Sequence, residues 1–531
     1  DYWNDADTGV GSTIDVSGSV SADRVILYGG ADDDTILVSG SITATEWIEI
    51  HGGAGADTIL LTGSLTAPEI RIYGEAGEDV INITIDSPGH QLTGHVEVFG
   101  GDEEDLIIVN RLHSRTDTLD LDGEEGRDLY YIYTRGGDTT ELTRAYDTGT
   151  DGVDEMVVFG TSADDDFLLR AMALPDQTTP DTGFVAKLNN TDADPEFEAV
   201  ERFNYRGLEH ITLNTRYGDD RVTADDALAV FTVNGGVGDD TFQIGQVFKS
   251  ERDDNPETAN IAADDVFATI EITRGWLSNG ISAPMTLNGG AGEDEFVVFH
   301  NLAPLSLSGG DDDDTFTVRS FALAGSQEAQ RARTDMKGDG GADTLRYAVN
   351  APVGIDGGDG LDTVIVIGTE FSDDFIITNQ DIYGAGLNVT FVNIEKLKVD
   401  GAEGDDRYFV LSTDTDVITE IDGGLGSDTF FVGGSPSDAP ISAISNDLRG
   451  HSGVILHDVE SADLLYQGIS VDGLSANVAD NDESFIVVEE SGGVSAVTED
   501  IAAAAAGLAD EGWDHDTRSE EHTSELQSLL I

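Results

Sequence analysis

The sequence predicts an all-β chain, a right-handed parallel β-helix or β-roll solenoid with coils of about 22 residues. Three observations lead there. One short cassette recurs thirteen times at near-constant spacing. Apolar residues alternate on both sides of it. Glycine is abundant, at 63 residues, while proline is scarce, at 11, which suits many turns with few rigid breaks.

The segment Ile48-Glu49-Ile50-His51-Gly52-Gly53-Ala54-Gly55-Ala56-Asp57-Thr58-Ile59-Leu60-Leu61 typifies the cassette. It reads as a strand, a six-residue turn and a second strand. The turns start at Gly29, Gly52, Gly74, Gly100, Gly123, Thr215, Gly235, Gly289, Gly309, Gly338, Gly357, Gly401 and Gly423. Their sixth positions are Asp34, Asp57, Asp79, Asp105, Asp128, Asp220, Asp240, Asp294, Asp314, Asp343, Asp362, Asp406 and Asp428.

Period two with one apolar face marks each flank as a β-strand. Before the turns stand pairs such as Ile70 and Ile72, Val96 and Val98, Phe231 and Val233, or Leu305 and Leu307. After them come Ile36 and Val38, Ile81 and Ile83, Phe316 and Val318, or Phe430 and Val432. Thr334 and Thr419 break the leading pattern. Glycine at the first and fourth turn positions implies positive φ or close backbone approach. Where the fourth position is not glycine it is Asp32, Glu103 or Asp312.

Spacing sets the coil. Starts 29, 52, 74, 100 and 123 are 22 to 26 residues apart. The gap from 123 to 215 is 92, four times 23, and that from 357 to 401 is 44, twice 22. Both are expected to hold coils with degenerate turns. A second, non-acidic corner repeats in Val16-Ser17-Gly18-Ser19-Val20, Val38-Ser39-Gly40-Ser41-Ile42 and Leu61-Thr62-Gly63-Ser64-Leu65. A coil therefore has two strands and two corners, only one acidic, so a single acidic column is expected.

The charge balance is extreme, with 26 Lys+Arg against 105 Asp+Glu and a net charge of −79. Nucleic acid needs a basic face and is excluded as a partner. Anionic membrane surfaces are disfavoured likewise, and no apolar run is long enough to insert in a bilayer. A compact body so charged repels itself unless neutralised. Disorder does not fit a 39% hydrophobic content. There is no cysteine, hence no disulfide framework. Ten histidines lie scattered without metal-ligand spacing. No G-x-S-x-G, H-E-x-x-H or phosphate loop occurs, and the chain is expected not to be an enzyme.

The cassette resembles the nonapeptide of the repeats-in-toxin, or haemolysin-type, family, G-G-x-G-x-D-x-U-x with U apolar. Gly52 to Leu60 and Gly235 to Gln243 match it at every defined position, and Gly289 to Val297, Gly357 to Ile365 and Gly423 to Phe431 also fit. The resemblance spans roughly residues 20–435. It implies Ca²⁺ between stacked turns, held by backbone carbonyls and by the thirteen sixth-position Asp residues. It also implies a segment of a large secreted bacterial protein at the cell surface, meeting glycans or other cells through the parent protein. The chemistry agrees, since Ca²⁺ takes six to eight hard oxygens in flexible geometry. Binding is expected to couple to folding, with an affinity on the order of 10⁻⁴–10⁻³ M.

A coarser duplication sets the domains. Gly160-Thr161-Ser162-Ala163-Asp164-Asp165-Asp166-Phe167 matches Gly368-Thr369-Glu370-Phe371-Ser372-Asp373-Asp374-Phe375. Leu208-Glu209-His210-Ile211 and Ile394-Glu395-Lys396-Leu397 follow in turn. Expected are a calcium-binding module over 1–245, with degenerate coils or an insert at 132–214, and a second over 246–435. A C-terminal β segment over 436–517 reads as the start of another module. Within it, residues 471–500 resemble the edge of a Calx-β module, and Ala502 to Ala506 read as a short helix or linker. Residues 518–531 resemble a translated sequencing adapter and are set aside from the fold.

Three other readings compete. Acids spread over an exposed surface would indicate a saline habitat and little specific metal binding. A calcium-dependent polysaccharide-active enzyme would need a basic cluster, for which Arg202, Arg206, Arg216 and Arg221 are the candidates. A flat ligand-binding face would need long outward Thr or Asn rows, whereas the Ser/Thr corners last three coils.

Overall fold

A computed structural model describes residues 2–4, 11–85, 89–111, 118–137, 140–172, 181–189, 200–250, 268–272, 275–319, 333–348, 353–369, 371–384, 387–432, 451–457, 471–478, 487–490 and 495–498. The described chain is all-β, with long parallel sheets of solenoid type, as the periodicity predicts. It divides into two compact units, residues 1–270 with 277–314, and residues 271–276 with 315–531.

In the first unit, strands Ser19–Gly30, Ser41–Ala54, Ser64–Ala76, Leu92–Asp102 and Thr118–Glu125 stack in parallel as one sheet. Strands Thr35–Val38, Thr58–Leu61, Val80–Ile85, Leu106–Arg111 and Leu129–Tyr133 stack as the other. Like residues meet in register: Ile50 lies level with Leu27 and Ile72, and Ile72 with Val98. Their side chains are 0–1% exposed, as are Ile59, Leu61, Ile81 and Ile83 on the facing sheet. Burying apolar surface in this way is the main favourable term of the fold. Thr334 also faces inward and is fully buried. Phe430 and Val432 are 47% and 72% exposed, because their strand pairs on one side only among the described residues.

The Ser-Gly-Ser corner is a hydrogen-bonded stack. Ser41 N–H donates to Gly18 O, and Ser64 N–H to Gly40 O. A β-carbon on Gly63 would lie 1.9 Å from Gly40 O, so no larger residue fits.

The wide gap from 123 to 215 is not four degenerate coils. It holds two further acidic turns, Gly149 to Asp154 and Gly160 to Asp165, and then an antiparallel excursion. Asp166–Met172 runs against Thr182–Leu188, which runs against Val200–Arg206. The gap from 357 to 401 repeats the device in the second unit. There Asp374–Ile377, Asp381–Gly384 and Leu387–Val392 form the antiparallel set. The duplication seen in the sequence is thus the signature of two excursions.

Each excursion moves the acidic corner. Up to Asp154 the Asp-bearing turns lead from the first sheet into the second, as Ser41–Ala54 leads into Thr58–Leu61. From Asp165 they lead from the second sheet into the first, as Val230–Val237 leads into Thr241–Ile244. The second unit makes the reverse change, between Asp362 and Asp373. Each unit therefore carries two acidic columns at opposite corners, not one.

Of the C-terminal segment, His451–His457 pairs antiparallel with Val471–Val478, and Val487–Glu490 with Ser495–Thr498. The expected helix at 502–506 and the run 518–531 lie outside the described residues.

Candidate metal centre

The sixth-position Asp side chains point into the turns. Asp34, Asp57, Asp79, Asp105, Asp128, Asp220, Asp240, Asp294, Asp314, Asp343, Asp362 and Asp406 are 0–4% exposed. Asp428, in the last described coil, is half-buried.

Hydrogen bonds string them together. Asp34 N–H donates to Asp57 Oδ1 at 2.6 Å, Asp57 N–H to Asp79 at 2.7 Å, Asp79 N–H to Asp105 at 2.8 Å, and Asp105 N–H to Asp128 at 2.9 Å. In the second column the series runs Asp220 to Asp240, Asp240 to Asp294 and Asp294 to Asp314, at 2.7–2.8 Å. In the second unit Asp343 donates to Asp362, and Asp406 to Asp428. Every rung pairs a backbone amide with the carboxylate one coil further along. Such charge-assisted bonds are stronger than neutral ones.

The rungs satisfy Oδ1 but not the other oxygen. Oδ2 of Asp34, Asp57, Asp79, Asp105, Asp128, Asp240 and Asp294 is buried with no hydrogen-bond partner among the described residues. It rests against the first-position glycine. A β-carbon on Gly74 would lie 2.3 Å from Asp79 Oδ2 and 2.4 Å from Gly100 O. On Gly289 the distances to Asp294 Oδ2 and Gly309 O would be 2.0 and 2.6 Å. The first glycine is thus required by space, while positive φ belongs to the second and fourth positions, as at Gly53 and Gly55. These cradles gather a carboxylate oxygen and a carbonyl oxygen from adjacent coils.

Burial holds seven of the column acids far above the usual carboxylate range. It pushes Asp57 and Asp220 up to about 6, Asp79, Asp128, Asp240 and Asp294 up to about 7, and Asp105 up to about 8. The accepted amide bonds pull the other way, and the neighbouring carboxylates add to the rise in each case. Such groups favour a proton or a cation over a bare charge. Hard anionic and carbonyl oxygens, buried and incompletely hydrogen-bonded, fit a calcium ion chemically.

The columns include acids beyond the thirteen. Asp154 accepts from Asp128 N–H at 2.9 Å, and Asp154 N–H donates to Glu209 Oε2 at 2.9 Å. Asp165 N–H donates to Asp220, Asp373 N–H to Asp406, and Asp362 N–H to Glu395. Gly149, Gly152 and Asp154 keep the cassette spacing, so that turn was open to detection. Gly160 and Gly368 keep only the first glycine and the Asp. Glu209 and Glu395 have no turn motif, and only their repeated setting marks them. Asp165 is also met by Lys187, at 3.0 Å, inside the first excursion.

Of the non-glycine fourth positions, Glu103 and Asp312 are exposed and Asp32 half-buried. The four candidate arginines do not share a face. Arg202 is fully buried over the Phe184 ring at 3.9 Å, Arg206 covers Tyr146 at 4.6 Å, and Arg216 and Arg221 are exposed.

No family model and no curated protein matches the chain.

Proposed function

We propose that the chain is a calcium-binding structural segment of a large extracellular protein, a stiff stalk or adhesive spacer and not a catalyst. The observation supporting this is the run of buried Asp carboxylates, several of which, such as Asp79 and Asp294, hold an oxygen with no hydrogen-bond partner among the described residues beside the carbonyl of the next coil. Bound calcium would supply the positive charge these columns lack. The chain's own residues do the rest. The amide-to-Oδ1 rungs fix each carboxylate, the first glycine keeps the space beside Oδ2 clear, and the apolar ladders hold the coils at one spacing. Glycans or neighbouring cells would be met through the parent protein.

A saline-adapted solenoid is the second reading, favoured by one observation. The rungs are complete without an ion, and acids also crowd the exposed turn positions, such as Asp33, Asp219 and Asp239. Thermal unfolding of the full chain by far-UV circular dichroism separates the two. At a calcium concentration about 100 times Kd, each independent site adds about 2.7 kcal/mol. Calcium should therefore raise Tm strongly above its value in EDTA, and sodium chloride of equal ionic strength should not. Equal stability in EDTA and calcium would leave only the saline reading.

A further inference from the structure

One turn departs from the rest in a way that gathers oxygens. Strand Thr118–Glu125 pairs with Glu141–Tyr146, Leu121 lying level with Ala145. Continuing two residues along each brings Asp147 level with Gly123. At Gly123 a β-carbon would lie 2.2 Å from Asp128 Oδ2. The next coil thus places a carboxylate where its neighbours keep a glycine. It can do so because its turn is longer, Asp154 standing nine positions after Ala145 where Asp128 stands seven after Leu121.

The outcome is a compact buried triad. One oxygen from each of Asp128, Asp147 and Asp154 lies within 4.8 Å of the others. The three residues are 1%, 8% and 5% exposed. Asp128 Oδ2 has no hydrogen-bond partner among the described residues. The Tyr130 hydroxyl donates to Asp147 Oδ2 at 2.5 Å and accepts Gly123 N–H, also at 2.5 Å, which fixes Asp147 in place. Two other buried carboxylates of this unit are met by cationic side chains, Asp225 by Arg170 and Asp165 by Lys187. None of these three forms an ion pair with Lys or Arg among the described residues. Three buried carboxylates cannot all stay ionised in so small a space without a compensating charge.

We propose that Asp128, Asp147 and Asp154 form a divalent-cation site, selective for calcium over magnesium, that draws two ligands from the end of the first column and does not depend on metal loading of the other cradles. Selectivity follows from the enclosure. Magnesium keeps several of its waters and demands near-octahedral geometry, whereas calcium accepts an irregular, largely dehydrated oxygen cage. Tyr130 is a built-in reporter, since its phenol is hydrogen-bonded to one ligand.

The test counts bound calcium in the full chain by native mass spectrometry, for the wild type, Asp147→Asn and Asp147→Gly. The second variant restores the residue that Gly123 exemplifies and guards against a folding defect in the first. One ion fewer in either folded variant, with the rest retained, is expected. An unchanged count overturns the site and leaves the columns standing. A wild type that binds one ion, lost in the variants, upholds the site while the column reading fails. A wild type that binds none overturns both. Terbium gives an independent readout through tyrosine-sensitised luminescence. Tyr130→Phe should remove a distinct fraction of the emission without changing the count, and unchanged emission overturns the placement beside Tyr130.

Discussion

At the residue scale, the decisive pair is the first glycine of a turn and the Asp five residues on. Gly74 leaves room for Asp79 Oδ2 and for Gly100 O. Gly74→Ala forces a methyl into both and should cost about 1–3 kcal/mol, as overpacking does, read as a lower midpoint in urea. Asp79→Asn separates charge from hydrogen bonding. The amide oxygen still accepts from Asp57 N–H, but a buried negative charge is gone. This variant should be more stable than the wild type in EDTA and gain less from calcium. A variant less stable in both conditions would show that charge at this position is not the burden described. The Asp and the glycine were both legible from spacing. The reason for the glycine was not, because the direction of a side chain is set by packing between coils. Motif logic left the glycine between positive φ and close backbone approach, whereas the structure assigns it to the carboxylate of its own turn and the carbonyl of the next coil.

At the element scale, strands and corners were legible because each carries its own period. Alternation marked Ile70 and Ile72 as inward, and both are fully buried. Ile72→Ala should cost about 2–5 kcal/mol, in the range of buried large-to-small changes. The antiparallel excursions were hidden. Asp166–Met172, Thr182–Leu188 and Val200–Arg206 are buried on both faces, with almost no alternation, so period two fades where the chain folds back on itself. Division by the coil length then mistook them for coils. Their polar anchor is the Lys187–Asp165 ion pair, with side chains 6% and 1% exposed. Breaking a buried pair by removing one partner costs about 3–5 kcal/mol. Lys187→Met should therefore destabilise the first unit well beyond any surface Lys substitution, measured by differential scanning calorimetry.

At the scale of the whole molecule, the surplus of acid becomes a dependence on pH. Burial pushes Asp57, Asp79 and Asp105 up to about 6, 7 and 8 in the folded chain, against about 3.9 when unfolded. Between these values the folded chain binds more protons than the unfolded chain. Metal-free stability is then greatest at acidic pH and falls as pH rises from about 4 towards about 8. Calcium competes with those protons and should flatten or reverse the slope. Tm measured from pH 4 to 8, in EDTA and in calcium, gives the two curves, and parallel curves would sink the linkage. The net charge of −79 could not reveal this by itself, since exposed acids behave differently from buried ones.

The transfer of the acidic corner across the coil has a mechanical consequence. Carboxylates stacked along one edge push its coils apart when nothing neutralises them, and a rod whose one edge lengthens must bend. In the first unit the edge under strain is that of Asp34 to Asp154, and then the opposite one, from Asp165 to Asp314. The two bends oppose each other. Stripped of cations, such a unit would take a shallow double curve and keep its two ends pointing the same way, where a single column would coil it into an arc.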